Sequence, residues 1–459
     1  MFRRVLVANR GEIAARVLRA CREMGIQTVA VHSTADASSP HLKLADRSVC
    51  IGGPRATESY LNAGAILQAA EQTHCQAIHP GYGFLSENAL FSARCASHRI
   101  SFIGPSSAAI RRMGDKVEAR RTMDAAGVPV IPGSRGPLAS PGEAAAEAER
   151  AGYPVMLKAV AGGGGRGMRR CEDEAAVRRF FPEASAEAEA AFGNPSLYLE
   201  KYIEGGRHIE FQILADAYGE AVHLGERECS VQRHHQKLIE EAPSTVVDRA
   251  TRERLGDLVA RAAARIGYVG AGTLEFLRDR DGRLYFMEMN TRLQVEHPVT
   301  EEITGVDIVK AQIRIAAGEP LGLSQNGIDV RGHAIECRIN AEDPAAGFRP
   351  APGTLEEFAV GGSASPAARI RLETHVEPGY AVPPHYDSMI AKVIAWGEDR
   401  GAALDAMAGA LREARIKGVP TTVPFHLTVL ADPSFRRGDY DVTLVERLLR
   451  AAPASGRPA

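Results

Sequence analysis

Two acidic residues, Glu275 and Glu288, flank a turn signal in the segment at residues 272–298, GTLEFLRDRDGRLYFMEMNTRLQVEHP. Asp281-Gly282 is a strong signal for a hairpin with a two-residue loop. If these two residues form the whole loop, Glu275 is directly across from Glu288, with Cβ atoms about 5 Å apart. A longer loop over RDRDG would change the register, and a slip of one residue would break the pairing. We expect a cation between two carboxylates held this close.

A neutral oxygen ligand follows on the same strand face, because Asn290 lies two residues after Glu288. A ligand set made only of oxygen atoms suits Mg²⁺ far better than Zn²⁺. The pattern therefore predicts a divalent metal site formed by Glu275, Glu288 and Asn290. The alternative from the pattern alone is a solvated strand face that carries these charges by chance.

If the chain stays extended beyond Asn290, the same alternation adds Arg292, Gln294 and Glu296 to this face. An arginine beside metal-bound phosphates can bind a small oxyanion through two hydrogen bonds, and a nearby glutamate can accept its proton. The alternative is a plain ion pair between Arg292 and Glu296.

A lysine precedes a glycine-rich run at residues 158–168, KAVAGGGGRGM. Lys158 ends an apolar strand, and the glycines after it offer backbone N–H groups to phosphate oxygens. The order does not fit GxxxxGK[ST], which disfavours a Walker-type ATPase. Four consecutive glycines favour a mobile loop, and a flexible linker is the alternative.

Other charged segments are ambiguous when taken alone. Lys116 is at a predicted helix start, and Glu200, Lys201 and Ile203 are at a strand end before a turn. His208 and His235 are more often ordinary polar residues than ligands. Residues 233–237, RHHQK, are either a solvated basic run or part of an anion pocket.

The elements that must position these residues alternate between strands and helices. Apolar runs at residues 5–8, 28–32, 77–79 and 100–103, with helical stretches between them, predict a parallel α/β domain over residues 1–114. A change of composition at residues 127–205 predicts a small separate module. Residues 206–320 alternate strands and helices, residues 331–440 predict short strands before a final helix near 400–415, and the end of the chain resembles a frayed tail.

Composition narrows the class of protein. Of 459 residues, 55 are Lys or Arg and 57 are Asp or Glu, which gives no electrostatic reason to expect nucleic acid or an acidic membrane as a partner. The chain has no apolar run long enough to span a bilayer. Seven cysteines without a CxxC pair predict reduced thiols, a cytoplasmic setting and no zinc site.

Read together, these segments resemble the biotin carboxylase family of ATP-grasp enzymes. The matching motifs run in order along nearly the whole chain: ANRGEIA at 8–14, HPGYGFLSEN at 79–88, FIGPS at 102–106, MGDK at 113–116, KAVAGGGGRGM at 158–168, QRHHQK at 232–237, EMNTRLQVEHPVTE at 288–301, RGHAIECRINAEDP at 331–344 and PPHYDSMIAK at 383–392. GFRPAPG at 347–353 and the end of the chain depart from the usual family pattern.

The resemblance implies a multidomain protein of the α/β and α+β classes. It predicts a Rossmann-like pre-ATP-grasp domain at 1–114, an ATP-grasp domain at 115–325 with a mobile lid at about 131–203, a C-terminal biotin carboxylase domain at 326–446 and a flexible tail at 447–459. The activity implied is ATP-dependent carboxylation of biotin with bicarbonate, through carboxyphosphate.

The resemblance also implies a role for each matching residue. Those that would contact ATP are Lys116, Lys158, Gly164, Gly165, Glu200, Lys201, Ile203, His208, Gln232 and His235. Those that would hold Mg²⁺ or Mn²⁺, with two sites expected, are Glu275, Glu288 and Asn290. Those that would form the bicarbonate pocket are Lys237, Arg292, Gln294 and Val295. Glu296 would be the general base, and Arg338 would stabilise the ureido oxygen of biotin.

The sequence has no biotin-attachment motif of the AMKM kind and no carboxyltransferase domain. We therefore expect biotin on a separate carrier protein, carboxyltransferase subunits as partners, and a homodimer as the family suggests. Acetyl-CoA carboxylase in fatty acid synthesis is the expected context. The alternative enzyme is an ATP-grasp ligase that carboxylates an aminoimidazole ribonucleotide, and the alternative outside enzymes is a nucleotide-binding scaffold subunit that has lost its chemistry.

Overall fold

The computed structural model describes residues 1–161, 168–362 and 367–451. The N-terminal part is a parallel sheet of five strands in the order β3-β2-β1-β4-β5, with helices between the strands. Its elements are β1 (Arg4–Val7), α1 (Gly11–Glu23), β2 (Gln27–His32), β3 (Arg47–Cys50), α2 (Ala63–Gln72), β4 (Ala77–His79), α3 (Ala89–Ser97), β5 (Ser101–Phe102) and α4 (Ser107–Gly114). The prediction of a parallel α/β unit here is confirmed, although β3 was not predicted.

A small module follows, in which two helices pack on a three-stranded sheet with the order β7-β6-β8. Its elements, with the helix α5 that leads into it, are α5 (Lys116–Ala125), α6 (Pro141–Ala151), β6 (Val155–Ala159), β7 (Arg169–Cys171), α7 (Glu174–Phe192) and β8 (Leu197–Lys201). Leu157 and Leu199 are buried in the core of this module. The predicted loop glycines Gly164 and Gly165 lie outside the described residues.

The centre of the molecule is an eight-stranded sheet in the order β13-β12-β9-β10-β11-β14-β21-β19. The first five strands in this order, and the three helices associated with them, are formed by residues 207–316. These elements are β9 (Arg207–Ala215), β10 (Ala221–Arg233), β11 (Gln236–Ala242), α8 (Arg249–Arg265), β12 (Gly270–Arg278), β13 (Leu284–Asn290), α9 (His297–Thr304) and α10 (Ile308–Ala316).

The C-terminal segment supplies the other strands of this sheet, because β14 pairs antiparallel with β11. The two domains predicted on either side of residues 325/326 therefore share one continuous sheet. The remaining elements are β14 (His333–Asn340), β15 (Glu342–Asp343), β16 (Arg349–Pro350), β17 (Gly353–Thr354), β18 (Glu357–Ala359), β19 (Ala368–Thr374), β20 (Ala381–Val382), β21 (Met389–Gly397), α11 (Arg400–Arg412), β22 (Arg415–Lys417), α12 (Val423–Ala431), α13 (Pro433–Arg437) and α14 (Leu444–Ala451).

Two predictions about the end of the chain are wrong. The helix α11 is not the final one, because α12, α13 and α14 follow it. The segment from 447 does not begin as an irregular tail, since α14 continues to Ala451. Leu444 and Val445 are fully buried in the C-terminal core, and this burial gives the helix the tertiary contacts that a short helix needs.

The seven cysteines are all free. Within the described part of the chain, no helix combines the length and the apolar character required to cross a membrane.

Candidate functional site

Three acidic side chains lie in a row across neighbouring strands of the central sheet. Glu288 on β13 pairs directly with Glu275 on β12, and Glu275 pairs directly with Glu210 on β9. Arg227 on β10 pairs with Glu210 and ends the row. Directly paired residues present their side chains on the same sheet face. The predicted pairing of Glu275 with Glu288 is confirmed, and the row extends further than the sequence indicated.

The loop that produces this pairing is longer than two residues. Strands β12 and β13 are separated by residues 279–283, so Asp281-Gly282 is not the whole loop. Phe276 pairs with Phe286, a register that on its own would place Glu275 opposite Met287. A β-bulge adds one residue to β13 at this point and restores the pairing of the two glutamates.

Lys237 is the cation that lies among these carboxylates. Its Nζ is 2.6 Å from Glu210 Oε2, 2.9 Å from Glu275 Oε1 and 2.7 Å from Glu296 Oε1. Burial alone would lower the pKa of Lys237, but the Glu210, Glu275 and Glu296 carboxylates outweigh burial and raise it well above its usual value. Lys237 is not the cation expected between Glu275 and Glu288, because Glu288 faces Lys116 instead, with 3.6 Å between Lys116 Nζ and Glu288 Oε2.

A bulge aims Lys237 at this site. Gln232 pairs with Lys237 while Val231 pairs with Ile239, so β11 contains one more residue than β10 at this point. The extra residue, Leu238, packs in the apolar core. A bulge resets the alternation of a strand and re-aims its side chains, which allows Lys237 to reach three carboxylates.

The strand does not continue past Asn290, contrary to the extended alternation predicted from the sequence. Residues 291–296 form a loop and turn, and α9 begins at His297. The side chains converge nonetheless. Arg292 Nη1 donates to Gln294 Oε1 at 2.8 Å, and Arg292 Nη2 donates to Asn290 Oδ1 at 3.2 Å.

The ion-pair partner of Arg292 is a residue that the sequence had not indicated. Its Nε is 2.7 Å from Glu87 Oε2, so the alternative of an Arg292–Glu296 ion pair is wrong. Glu87 comes from the loop before α3 of the N-terminal sheet, and this contact joins the two sheets at the site.

Glu296 is fully buried between two cations. Its Oε1 accepts from Lys237, and its Oε2 is 2.9 Å from Arg338 Nη2. Burial would raise the pKa of Glu296, but Lys237, Arg338 and Arg227 outweigh burial and lower it well below its usual value. The carboxylate is therefore ionised at neutral pH.

The residues predicted to bind nucleotide lie along the edge of the small module and the adjoining strands. Lys158 Nζ is 2.5 Å from Glu200 Oε2 across β6 and β8. Lys201 Nζ donates to the backbone oxygens of Gly152 at 2.9 Å and Tyr153 at 2.6 Å. Ile203 follows β8 and Gln232 is near the end of β10.

Of the two predicted histidines, His208 is on β9 and His235 is in the turn after β10. His208 is buried with its Nε2 3.1 Å from Glu275 Oε2. Burial alone would lower the pKa of His208, but Glu275 raises it. His235 is exposed in the turn between β10 and β11, where it has a left-handed φ of 64°. The structure therefore joins His208 to the acidic row, and it leaves His235 at the rim.

Beside the row is a cavity of about 420 Å³. It is lined by predicted substrate-binding residues and by residues of the N-terminal and C-terminal parts, among them Arg292, Val295, Arg338, Tyr82, Asn340 and Tyr386. The cavity has the size and the polar groups expected of a small-molecule site.

The three predicted metal ligands fit a hard divalent ion. The Glu288 side chain is 42% exposed, and Asn290 Nδ2 donates to Glu275 Oε1 at 2.8 Å, which holds the amide beside the carboxylate. Carboxylate and amide oxygens are the ligands that Mg²⁺ prefers, and partial exposure leaves room for water and phosphate ligands.

Residues missed from the sequence complete the site. Glu210, Glu240 and Glu87 contact predicted site residues, and Arg227 contacts Glu210. The alternation of HIEFQ at residues 208–212 places Glu210 on the same face as His208, so Glu210 had a readable signal. The other three come from segments distant in sequence, which carry no such signal.

Comparison with known proteins gives matches over nearly the whole chain. Three family models match: Biotin carboxylase, N-terminal domain at residues 1–110, Carbamoyl-phosphate synthase L chain, ATP binding domain at 115–324, and Biotin carboxylase C-terminal domain at 336–447. The chain is 55% identical over 447 residues to a biotin carboxylase of Nostoc sp., with 97% of this chain and 99% of the relative covered.

Solved structures agree with these matches. The biotin carboxylase domain dimer of Hydrogenobacter thermophilus 2-oxoglutarate carboxylase, in complex with MgADP, ADP and bicarbonate, is 51% identical, with a TM-score of 0.92 and coverage of 97% of this chain and 98% of that chain. A biotin carboxylase complex from Campylobacter jejuni with β-γ-ATP is 49% identical, with a TM-score of 0.93 and coverage of 97% and 99%.

Proposed function

Because the chain belongs to the biotin carboxylase family, we propose that ATP-dependent carboxylation of biotin takes place at the acidic row and in the cavity beside it. The observation that carries this proposal is the chain of contacts from Lys237 through Glu296 to Arg338. These contacts join a cation for an oxyanion, Lys237, and an ionised carboxylate, Glu296, to a second cation, Arg338, which lines the cavity.

The nucleotide is ATP, and it lies between the small module and the central sheet. The groups that support this placement are Lys116, Lys158, Glu200, Lys201, Ile203, His208, Gln232 and His235, with Gly164 and Gly165 outside the described residues. Glu275, Glu288 and Asn290 would hold Mg²⁺ or Mn²⁺, which supplies positive charge to the phosphates. The lysines add positive charge that the chain itself provides.

Bicarbonate binds beside Lys237, Arg292, Gln294 and the backbone of Val295. Glu296 accepts the proton of bicarbonate, whose oxygen then attacks the γ-phosphorus of ATP, and ADP leaves. The carboxyphosphate formed breaks into carbon dioxide and phosphate, and the phosphate removes the ureido proton of biotin. The ureido nitrogen adds to carbon dioxide, while Arg338 stabilises the negative charge that develops on the ureido oxygen.

The proposed assembly is supported by the family and by one of its solved members. A dimer of the biotin carboxylase domain is the form of the Hydrogenobacter thermophilus structure, and a homodimer is proposed for this chain. Biotin arrives on a separate biotin carboxyl carrier protein, and carboxyltransferase subunits in the cytoplasm pass the carboxyl group to acetyl-CoA. The 2-oxoglutarate carboxylase relative makes another acceptor the alternative, which co-purification of the native complex distinguishes.

The experiment that tests the proposal uses free biotin. Purified protein with ATP, Mg²⁺ and labelled bicarbonate is assayed for ADP release and for label in carboxybiotin. We expect ADP release that requires bicarbonate and rises when biotin is added. ADP release that biotin leaves unchanged, but that an aminoimidazole ribonucleotide stimulates, would support the alternative ligase.

A further inference from the structure

Two fully buried glutamates pair directly behind Arg338. Glu240 on β11 is opposite Glu336 on β14, and both side chains are 0% exposed. Arg338 is two residues after Glu336 and therefore shares its sheet face. Two carboxylates at this spacing repel each other unless one of them is neutral.

Arg338 makes contact with only one of the two glutamates. Its Nε donates to Glu240 Oε1 at 2.7 Å, and its Nη2 is 2.5 Å from the same oxygen and 2.9 Å from Glu296 Oε2. Glu240 and Glu296 thus hold the guanidinium from two sides. These contacts fix the plane of a group that lines the cavity.

Glu336 has no such partner among the described residues. Both of its carboxyl oxygens, and Oε2 of Glu240, are buried without a hydrogen bond. Lys392, the cation on the neighbouring strand, is already bound to the backbone oxygen of Val295 at 2.7 Å and to Glu12 at 3.2 Å. A buried carboxylate without a hydrogen bond is unfavourable, whereas a neutral carboxyl group is far less so.

We propose that Glu240 is a positioning residue that holds Arg338 in place for the ureido oxygen of biotin, while Glu336 stays neutral beside it. The inference rests on the proposed role of Arg338. Burial raises the pKa of Glu336 well above its usual value, and burial raises that of Glu240 to about 7, since Arg338 offsets only part of the effect. The other charged or titratable groups that face this pair within the described chain are Glu296, Lys237, Lys392, Cys337, Cys229 and Tyr82.

This arrangement limits the negative charge around Arg338. With Glu336 neutral, the guanidinium faces two carboxylates, Glu240 and Glu296, and not three. If Glu240 lost its charge, Arg338 would keep one carboxylate partner, Glu296, and would be drawn toward the proposed base. Biotin binding would then suffer, but nucleotide binding would not.

The test compares two isosteric variants at directly paired positions, Glu240→Gln and its matched control Glu336→Gln. We expect Glu240→Gln to lower biotin-dependent kcat/KM about tenfold to 100-fold, the effect typical of residues that orient a binding group. The affinity for ATP, measured by calorimetry, should stay close to that of the wild type, since Glu240 contacts Arg338 and none of the residues proposed to bind nucleotide. Glu336→Gln should leave both biotin-dependent kcat/KM and ATP affinity near those of the wild type.

A double-mutant cycle shows whether Glu240 acts through Arg338. In an Arg338→Gln background, Glu240→Gln should cause no further loss, because the group that it positions is gone. Glu240→Asp, which keeps the charge, should recover part of the activity. Thermal melting of each variant identifies any that fails to fold, and in that case Glu240→Asp and Glu336→Gln decide the matter.

Three results would overturn the inference: an unaffected Glu240→Gln variant, a Glu336→Gln variant that is equally damaged, or a further loss in the Arg338→Gln background. A wild-type protein that does not carboxylate biotin would instead contradict the proposed function.

Discussion

The Nζ of Lys237 lies 2.7 Å from Oε1 of Glu296. The same ammonium group also contacts Glu210 and Glu275, so one positive charge lies among three buried carboxylates. The proposed metal-binding end of the row and the proposed base are therefore linked by a single side chain. Perturbing Lys237 should affect both the chemistry and the stability of the site.

Lys237→Met should destabilise the fold and abolish activity. Removal of one partner from a buried ion pair typically costs about 3–5 kcal/mol, because it leaves buried charge without compensation. We expect a lower free energy of unfolding in denaturant and a loss of bicarbonate-dependent ATP hydrolysis. Lys43→Met is the control, since Lys43 pairs with Glu377 at the surface and should matter by less than about 1 kcal/mol. Equal stability of the two variants would contradict the role given to Lys237.

Glu296→Gln should remove the proposed base while preserving the shape of the site. General base catalysis contributes about 10²–10⁴-fold, so biotin carboxylation should fall by that factor. The affinity for ATP, measured by calorimetry, should stay close to that of the wild type, because Glu296 contacts Lys237 and Arg338 and lies away from the nucleotide groups. A variant with full turnover would exclude Glu296 as the base.

Glu288→Gln should weaken metal binding more than it weakens the fold. Glu288 is 42% exposed, and its ion-pair partner Lys116 is 3.6 Å away, so little stability depends on it. The Mg²⁺ concentration for half-maximal activity should rise at least about tenfold, since a carboxylate oxygen is replaced by a weaker neutral ligand. Glu302→Gln, which alters a carboxylate paired with Arg369 and Arg371 elsewhere, is the control. An unchanged Mg²⁺ requirement would remove Glu288 from the ligand set.

Local sequence patterns were sufficient to predict much of the fold and the pairing of Glu275 with Glu288. The alternation around Glu275 and Glu288, and the strand–helix periodicity of the first domain, depend on neighbours in sequence. The loop of β12 and β13 shows the limit of such reasoning. The pairing of the two glutamates survives a longer loop only because a bulge at Met287 compensates, and a bulge has no sequence signature of its own.

The residues that the sequence did not predict were missed for a different reason. Glu87 and Glu240 reach Arg292 and Arg338 from strands and loops far away in the chain, and only the assembled sheets bring them together. The error at the C-terminus is similar, because α14 is a short helix whose stability comes from burial of Leu444 and Val445 rather than from its own sequence.

The stability of the C-terminal part should fall at acidic pH through Glu241. This fully buried carboxylate binds His333 and Arg400, each at 2.6 Å, and also Tyr440. Burial would raise the pKa of Glu241, but His333 and Arg400 outweigh burial and lower it far below its usual 4.5. A carboxyl group whose pKa is lower in the folded than in the unfolded protein stabilises the fold at any pH above its unfolded pKa. This stabilisation is lost as pH falls below about 4.5.

Thermal melting of Glu241→Gln against pH measures that contribution. The variant should be less stable than the wild type at pH 7, and the difference should shrink as pH falls below about 4.5. The exposed carboxylate Glu357, paired with Arg415 and Lys417, provides the control variant Glu357→Gln, which should melt close to the wild type throughout. A difference that stays constant with pH would show that Glu241 does not act through its charge.

Glu336→Gln should have the opposite dependence on pH. Burial raises the pKa of Glu336 well above its usual 4.5, so the folded protein keeps a proton that the unfolded chain releases above that pH. The stability that the Glu336 carboxyl group contributes therefore falls as pH rises above about 4.5. A glutamine at this position removes the dependence on pH because it does not titrate. The variant should be more stable than the wild type at pH 8 and should match it near pH 4. Glu241→Gln, measured in the same buffers, must be less stable than the wild type at pH 8. If both variants were destabilised at pH 8, Glu336 would be a buried carboxylate with a partner, and the neutral group placed behind Arg338 would be wrong.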